Sequence, residues 1–416
     1  MELNSSSAEV FMYITRHAEI LVQKMISMFK VVLVTGPRQV GKTTLLKQLL
    51  AKDYHYITLD DINELEVAKT DPKLFFLNNP GKIIIDEVQN ATELFPEIKR
   101  IVDQSTTYGT IILTGSQSFS LMKNVSETLA GRVGILELNG LSLREIRGDS
   151  FSYPFIPDDH YLKADRIKTS NSELWRIIHR GAMPELYRDP RIDWQIYYAS
   201  YVKTYIERDV RSLINVKDLA LFSRFMVALA ARTGQLVNYQ VVASELGSTI
   251  KTIKSWMSVL EASGIIVLLP PFSNNRLTRT IKTPMLYFMD TGLVAYLLNW
   301  PSPQTLMKGA MSGAILETFV VSEIVKSFKN RGTLNLPLSF YRDRDMREID
   351  LIVEDAGVLY PVEIKQSTRP SSRMGRHLNL LDRSEGYKTG QRLILAQVDK
   401  KQNLKQDLLA YPITEL

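Results

Sequence analysis

Apolar runs and helical periods alternate along the first part of the chain. Val31–Val34 is an apolar run ending near Gly36, and a helical pattern follows Thr43. His55–Leu59 alternates as a strand, Glu64–Leu77 has a helical period, and Ile83–Ile85 is a short unbroken apolar run. Leu94–Gln104 reads as a helix, with strands at Thr110–Leu113 and Ile135–Leu138. Short apolar strands separated by helices predict a parallel sheet covered on both faces. Ahead of the first strand, Phe11–Phe29 has Ile14, Ile20, Leu21, Met25 and Met28 on an amphipathic helical pattern.

The pattern changes after Phe151–Asp159, where Pro154 and Pro157 mark a linker. Helices are predicted at Ser172–His179, stopped by Gly181, then at Trp194–Ile214 and Phe222–Arg232, with a turn-rich break at Gly181–Pro190. On the long helix, Glu207, Arg208, Asp209 and Arg211 read as a solvated face of mixed charge, with nucleotide sensing by Arg208 or Arg211 as the alternative. Asn238 caps a helix to Leu246, Gly247–Ser248 turns, and a second helix runs Ile250–Ser263. Strands Ile265–Leu269 and Met285–Met289 then flank a loop containing Arg276, Arg279 and Lys282. Helix–turn–helix followed by strand, basic loop and strand is a winged-helix pattern. Lys251 and Lys254, near the start of the second helix, are placed to meet bases, and Arg276 and Arg279 to meet phosphates. Winged helices also serve as protein-interaction modules or cover ATPase domains, so the pattern alone leaves the partner open.

Pro301 and Pro303 mark the next boundary. A helix is predicted at Gly309–Phe328, then strands at Ser339–Arg342, Glu348–Val353 and Val358–Lys365, the last two joined by a turn at Glu354–Gly357. The expected domains are residues 1–155, 156–298 and 299–416.

Composition narrows the chemistry. The 416 residues include no cysteine, which excludes disulfides, thiolate metal sites and cysteine nucleophiles. The five histidines are scattered without metal-ligand spacing. A formal net charge of +6 permits a nucleic-acid partner. No signal-peptide pattern and no long apolar span are read, so the expectation is a soluble cytoplasmic protein without membrane contact.

The first candidate site is G-x-x-x-x-G-K-T, formed by Gly36, Pro37, Arg38, Gln39, Val40, Gly41, Lys42 and Thr43 between a strand and a helix. Such a loop wraps polyphosphate with backbone N–H groups at a helix N-terminus. Lys42 is expected on the β- and γ-phosphates of ATP, and the Thr43 hydroxyl on Mg²⁺, with Thr44 next in line. Ile83–Ile85 ends in Asp86 and Glu87, a Walker B pattern in which Asp86 holds Mg²⁺ and Glu87 orients the attacking water. Thr114 and Ser116, after the third strand, are candidates for sensing the γ-phosphate or ordinary turn residues. Arg132 is a candidate for stabilising transition-state charge, in cis or from a neighbouring subunit of a homo-oligomer, or a surface arginine. The leading helix is expected near the adenine or over a sheet edge.

The second candidate site lies in the last domain. Asp350 interrupts an apolar strand, which is costly without a charged task. Glu363 and Lys365 are two residues apart and share one face of the next strand. Asp plus Glu-x-Lys on paired strands resembles the PD-(D/E)xK nuclease constellation. That resemblance implies Mg²⁺ on Asp350 and Glu363, Lys365 acting on the attacking water, Glu317 as a further acid from the helix, and Gln366 beside the site.

In order, the P-loop, IIIDEVQ, ILTGSQ, LAGR, TYIERDV, LAARTGQLVN, YFMDTGL, FYR, EIDLIVE and YPVEIK resemble a widespread bacterial and archaeal family. It joins an AAA-type P-loop ATPase module to a C-terminal domain of once-unknown function. The resemblance runs over almost the whole chain. It implies an α/β protein: a P-loop parallel sheet with flanking helices, a helical and winged-helix domain, and an α/β restriction-endonuclease-like domain. It implies ATP and Mg²⁺ as ligands and DNA as the partner, with ATP state controlling the other two domains. A regulatory protein whose nuclease-like domain only docks DNA or a partner is the alternative.

Overall fold

In the computed structural model, residues 13–116, 121, 125, 127–206, 219–273 and 283–416 are described. Strands β1 (Val31–Thr35), β2 (His55–Thr58), β3 (Ile83–Asp86), β4 (Ile111–Thr114) and β5 (Val133–Glu137) form one sheet. Its order is β2-β3-β4-β1-β5, and every pairing is parallel. Period-two alternation gives each face its own core. Val31, Leu33, Ile83, Ile85, Ile111 and Leu113 face one layer, which includes the helix Leu94–Gln104. Val32, Val34, Ile84 and Ile112 face the other, which includes the helices Ala18–Met28 and Lys42–Leu50.

The middle of the chain is mainly helical and carries a small antiparallel sheet. Helices Tyr239–Leu246 and Ile250–Ala262 are capped by Asn238 and Thr249, whose side chains accept from Val241 N and Thr252 N. Strands β6 (Gln235–Leu236), β7 (Ile266–Leu269) and β8 (Met285–Phe288) follow the order β6-β8-β7.

The last part is a mixed sheet of β9 (Leu338–Arg342), β10 (Glu348–Asp355), β11 (Val358–Lys365), β12 (Lys388–Thr389), β13 (Arg392–Ala396), β14 (Gln402–Lys405) and β15 (Leu408–Pro412). β9, β10 and β11 are antiparallel neighbours, whereas β11, β13 and β15 run parallel. The helix Ser312–Lys329 is buried along most of its length. One apolar cluster runs continuously from Leu143 through the middle segment to Leu416, so the last two parts share a core.

Several elements differ from the sequence expectation. The helix expected over Glu64–Leu77 is two, Ile62–Thr70 and Pro72–Asn78. Pro72 has no N–H to continue the first helix, and the Asp71 side chain caps the second through Leu74 N. The leading helix begins at Ala18, because the Arg16 and His17 N–H groups donate to Glu19 and Glu145 carboxylates. Gly181–Pro190 contains a short helix, Pro184–Arg188. Trp194–Tyr201 passes into a π-helical turn at Val202–Ile206, and Glu207, Arg208, Asp209 and Arg211 lie outside the described residues. Among the described residues, no helix is long and apolar enough to cross a membrane.

Candidate functional sites

The first site forms at the C-terminal ends of β1, β3 and β4, where open parallel sheets bind ligands. Register places Val34 beside Thr114, and Ile85 beside Leu113, so Asp86 and Thr114 end level with Val34, and Thr35 lies one residue beyond. Gly36 then turns away at φ 139°, and a Cβ there would lie 2.0 Å from the Leu138 carbonyl oxygen. Gly41, at φ 89°, starts the helix Lys42–Leu50. Both positions therefore need glycine, the first for space and the second for its left-handed backbone. Gln39 is also left-handed, at φ 61°.

Lys42 is buried and donates to the Gly36 and Pro37 carbonyls at 3.1 and 2.8 Å. Its ammonium is thus held over the loop. Thr43 Oγ1 donates to Asp86 Oδ2 at 2.8 Å, and Tyr56 donates to the same oxygen at 2.6 Å. A hydroxyl beside a carboxylate is a pair of hard oxygen donors, which suits Mg²⁺. Thr43 and Asp86 are the residues that would hold that ion. Thr114 is fully buried, and its hydroxyl and that of Thr35 find no hydrogen-bond partner among the described residues. Unpartnered hydroxyls at the strand ends suit an incoming phosphate oxygen. Ser116 is also buried nearby in sequence, while Thr44 is exposed on the first helical turn.

Glu87 follows Asp86 in the left-handed region at φ 57°. That conformation costs a residue with a side chain about 1–3 kcal/mol, and such strain clusters at functional sites. Gln89 donates its amide to the Glu87 carboxylate. From the middle segment, Tyr197 donates to Gln39 Oε1 at 2.7 Å, so the helix Trp194–Tyr201 touches the loop directly.

Arg132 corrects one expectation. It precedes β5, at the end of the sheet opposite the P-loop, because Val133 pairs with Val31 at the start of β1. There it forms an ion pair with Asp103 and donates to the Ala130 carbonyl. It cannot act in cis, since parallel strands put its loop and the P-loop at opposite edges.

The second site is built across β10 and β11. A bulge sets Asp350 and Leu351 of β10 against the single residue Phe340 of β9. Freed from that register, Asp350 Oδ2 accepts from Ile364 N at 2.7 Å. Lys365 Nζ lies 2.6 Å from Glu363 Oε1 and 3.4 Å from Asp350 Oδ2. The three residues are therefore together, as the sequence predicts. Glu317 joins them electrostatically, but its hydrogen bond is to Tyr287, which donates at 2.6 Å. Gln366 turns away and donates to the Met307 carbonyl.

Burial dominates the electrostatics here. It pushes the Glu317 carboxyl up to about 8, with the Asp350 charge adding to it. Glu363 is pushed up to about 7 by the same two causes, and burial also raises Asp350 and Glu348. Burial opposes the charge on Lys365, but Asp350 and Glu363 outweigh it and hold the ammonium protonated. Among the described residues, no group of three or more His, Asp or Glu is arranged to hold a metal ion. The Lys365 ammonium already stands between the carboxylates of Asp350 and Glu363, so this set as it stands does not fit a metal.

Tyr287 and Glu348 escaped the sequence reading. Glu348 pairs in register with Arg342 at the start of β10. Tyr287 lies on β8, far away in the chain, and only its place in a buried strand hinted at a task for its hydroxyl. Lys251 and Lys254 are exposed on the helix Ile250–Ala262, whereas Arg276 and Arg279 lie outside the described residues.

Residues 28–147 match the family described as "AAA domain". Residues 171–304 and 312–416 match two domains of unknown function, DUF8612 and DUF4143. Uncharacterized protein Rv2008c of Mycobacterium tuberculosis is 30% identical over 368 residues, which cover 88% of this chain and 77% of the relative. Uncharacterized protein Mb2031c of Mycobacterium bovis matches with the same figures. The chain belongs to their family. Its AAA domain is of the P-loop ATPase type, with the loop, Asp86 and Glu87 at the strand ends. Among solved structures, a Walker-type ATPase of Pyrococcus abyssi is similar at 13% identity and a TM-score of 0.44, over 71% of this chain and 99% of that one. A RuvB from Thermotoga maritima is similar at 16% identity and a TM-score of 0.29, over 61% and 86%.

Proposed function

We propose that this family member binds ATP with Mg²⁺ at the P-loop and hydrolyses it. The observation that carries the reading is the 2.8 Å hydrogen bond from Thr43 to Asp86, which joins P-loop and Walker B chemistry beside Lys42. Backbone N–H groups of residues 36–43 cradle the phosphates, and Lys42 leaves the loop carbonyls for the β- and γ-phosphates. Bound Mg²⁺ would neutralise charge on those phosphates. Glu87 takes the proton of the attacking water, and Thr114 meets the γ-phosphate. In a homo-oligomer, Arg132 acts on a neighbour's site. ATP turnover by the parent and by Lys42→Ala tests the assignment: equal rates would reject it.

The remainder of the reading is DNA processing under ATP control. Two capped helices and an antiparallel β7–β8 pair support a winged helix, in which Lys251 and Lys254 contact DNA, together with Arg276 and Arg279, which lie outside the described residues. The Asp350, Glu363 and Lys365 set supports a nuclease-like last domain. A second reading, that this domain only docks DNA or a regulatory partner, is favoured by the Lys365 ammonium lying where a cation would have to sit. Plasmid incubation with Mg²⁺ separates the two. Cleavage by the parent that is absent in Asp350→Ala carries processing, and salt-dependent binding without cleavage carries docking.

A further inference from the structure

The short 3₁₀ turn Val88–Asn90 directly follows Glu87 and brings Gln89 back onto it. The Gln89 amide nitrogen donates to Glu87 Oε2. Its oxygen is buried and has no hydrogen-bond partner among the described residues. That oxygen points at Gly115, where a Cβ would lie only 2.2 Å from it. Gly115 follows Thr114, whose own hydroxyl is buried without a partner among the described residues at the end of β4. The amide thus lies between a candidate base and the strand end beside the phosphate site.

A buried acceptor without a donor is costly, and an amide can rotate to relieve it. Rotation would turn the oxygen onto the Glu87 carboxylate, two acceptors face to face. The orientation is retained because the charge-assisted bond to Glu87 outweighs the unpaired oxygen. Glu87 itself sits in a left-handed backbone, and the Gln89 amide donates to its carboxylate. Gly115 supplies the floor against which Gln89 rests, and any larger residue there would push the amide away.

We infer that Gln89 is a positioning residue for ATP hydrolysis, holding the Glu87 carboxylate in place for the attacking water, with Gly115 holding Gln89. This rests on the reading of Glu87 as the base. In that step the water oxygen bonds to the γ-phosphorus. The bond from the γ-phosphorus to the β–γ bridging oxygen breaks, and its electron pair leaves on ADP. The water proton passes to Glu87, and phosphate and ADP depart. Gln89 touches neither water nor nucleotide; it acts through Glu87.

Steady-state and single-turnover ATP hydrolysis by the full chain tests this, with fluorescent ADP affinity measured alongside. Gln89→Ala is expected to lower kcat about 10-fold or more, a fraction of what a general base supplies, with KM and ADP affinity within about twofold. Gly115→Ala is expected to reproduce the loss. In a Glu87→Gln background, Gln89→Ala should cost nothing further, which a merely structural role would not produce. Parental kcat in Gln89→Ala, or a full repeat of its loss in the Glu87→Gln background, overturns the inference alone. Parental kcat in Glu87→Gln overturns the assignment of the base, and the role of Gln89 with it.

Discussion

At the P-loop the groups aimed at a ligand are backbone N–H groups and short side chains on a rigid strand end. At the acidic set they are long side chains packed against one another. The first site leaves the hydroxyls of Thr35 and Thr114 unpartnered among the described residues. The second closes on itself: Lys365 bonds Glu363 and Asp350, and Tyr287 bonds Glu317. On the proposed reading the first site awaits an anion from outside, whereas the second already contains its own cation. The contrast separates a site whose charge completes itself on binding from one whose charge must be rearranged first.

The largest expected effect is at the open site. Lys42→Ala should lower ATP turnover by about 100-fold or more, the scale on which transition-state charge stabilisers act. Its melting temperature should stay within about 2 °C of the parent, because the bonds from the Lys42 ammonium to the Gly36 and Pro37 carbonyls lie within the loop itself. A large loss of stability would blur the contrast, making the loop part of the core.

The two sites are joined by a buried bridge. Glu323 and Lys326, on the helix that also carries Glu317, pair at 2.8 Å with both side chains almost fully covered. Lys326 donates to the Leu141 carbonyl, and Glu323 accepts from Leu143 N, both just beyond β5. That segment also contains Leu138, which packs on Gly36 of the P-loop. Lys326→Ala would leave Glu323 as a buried charge without its partner. It is expected to destabilise the protein by about 3–5 kcal/mol, read as a lower urea midpoint. The double variant Glu323→Gln with Lys326→Met keeps an acceptor for Leu143 N and should recover much of the loss. If Lys326→Ala is neutral, the bridge does not hold the sites together and they are independent.

The P-loop was legible because its parts are contiguous: eight residues, one strand before and one helix after. Asp350, Glu363 and Lys365 were legible for a similar reason, since a hairpin and a period of two suffice to bring them together. What escaped depends on chain segments meeting across the fold. Tyr287 reaches Glu317 only through the placement of β8 against the helix Ser312–Lys329. Gln89 gains its setting from the neighbouring strand end at Gly115. For Arg132 the cis alternative falls because sequence gives its nearness to a strand but not which end of a parallel sheet it occupies. The Asp71–Pro72 break was visible as residues, yet a continuous apolar period ran across it.

The smallest expected effect tests the closed site through pH. Burial raises Glu317 from its ordinary 4.5 to about 8. In the folded state it keeps a proton that the unfolded chain releases above about pH 4.5. The unfolded state then binds fewer protons, so this group's contribution to stability is complete below pH 4.5 and is lost as pH rises towards 8. Glu363, raised to about 7, acts in the same direction over a narrower window. Glu317→Gln removes the Glu317 term while keeping an oxygen for Tyr287 to donate to. The variant should match the parent at about pH 4.5, allowing for the lost proton exchange, and melt about 2–4 °C higher at about pH 8.5. Melting curves at the two pH values decide it. A variant that is less stable at the higher pH would mean that Glu317 is held as a carboxylate by a compensating cation, and the acidic set would then resemble the P-loop in awaiting a ligand.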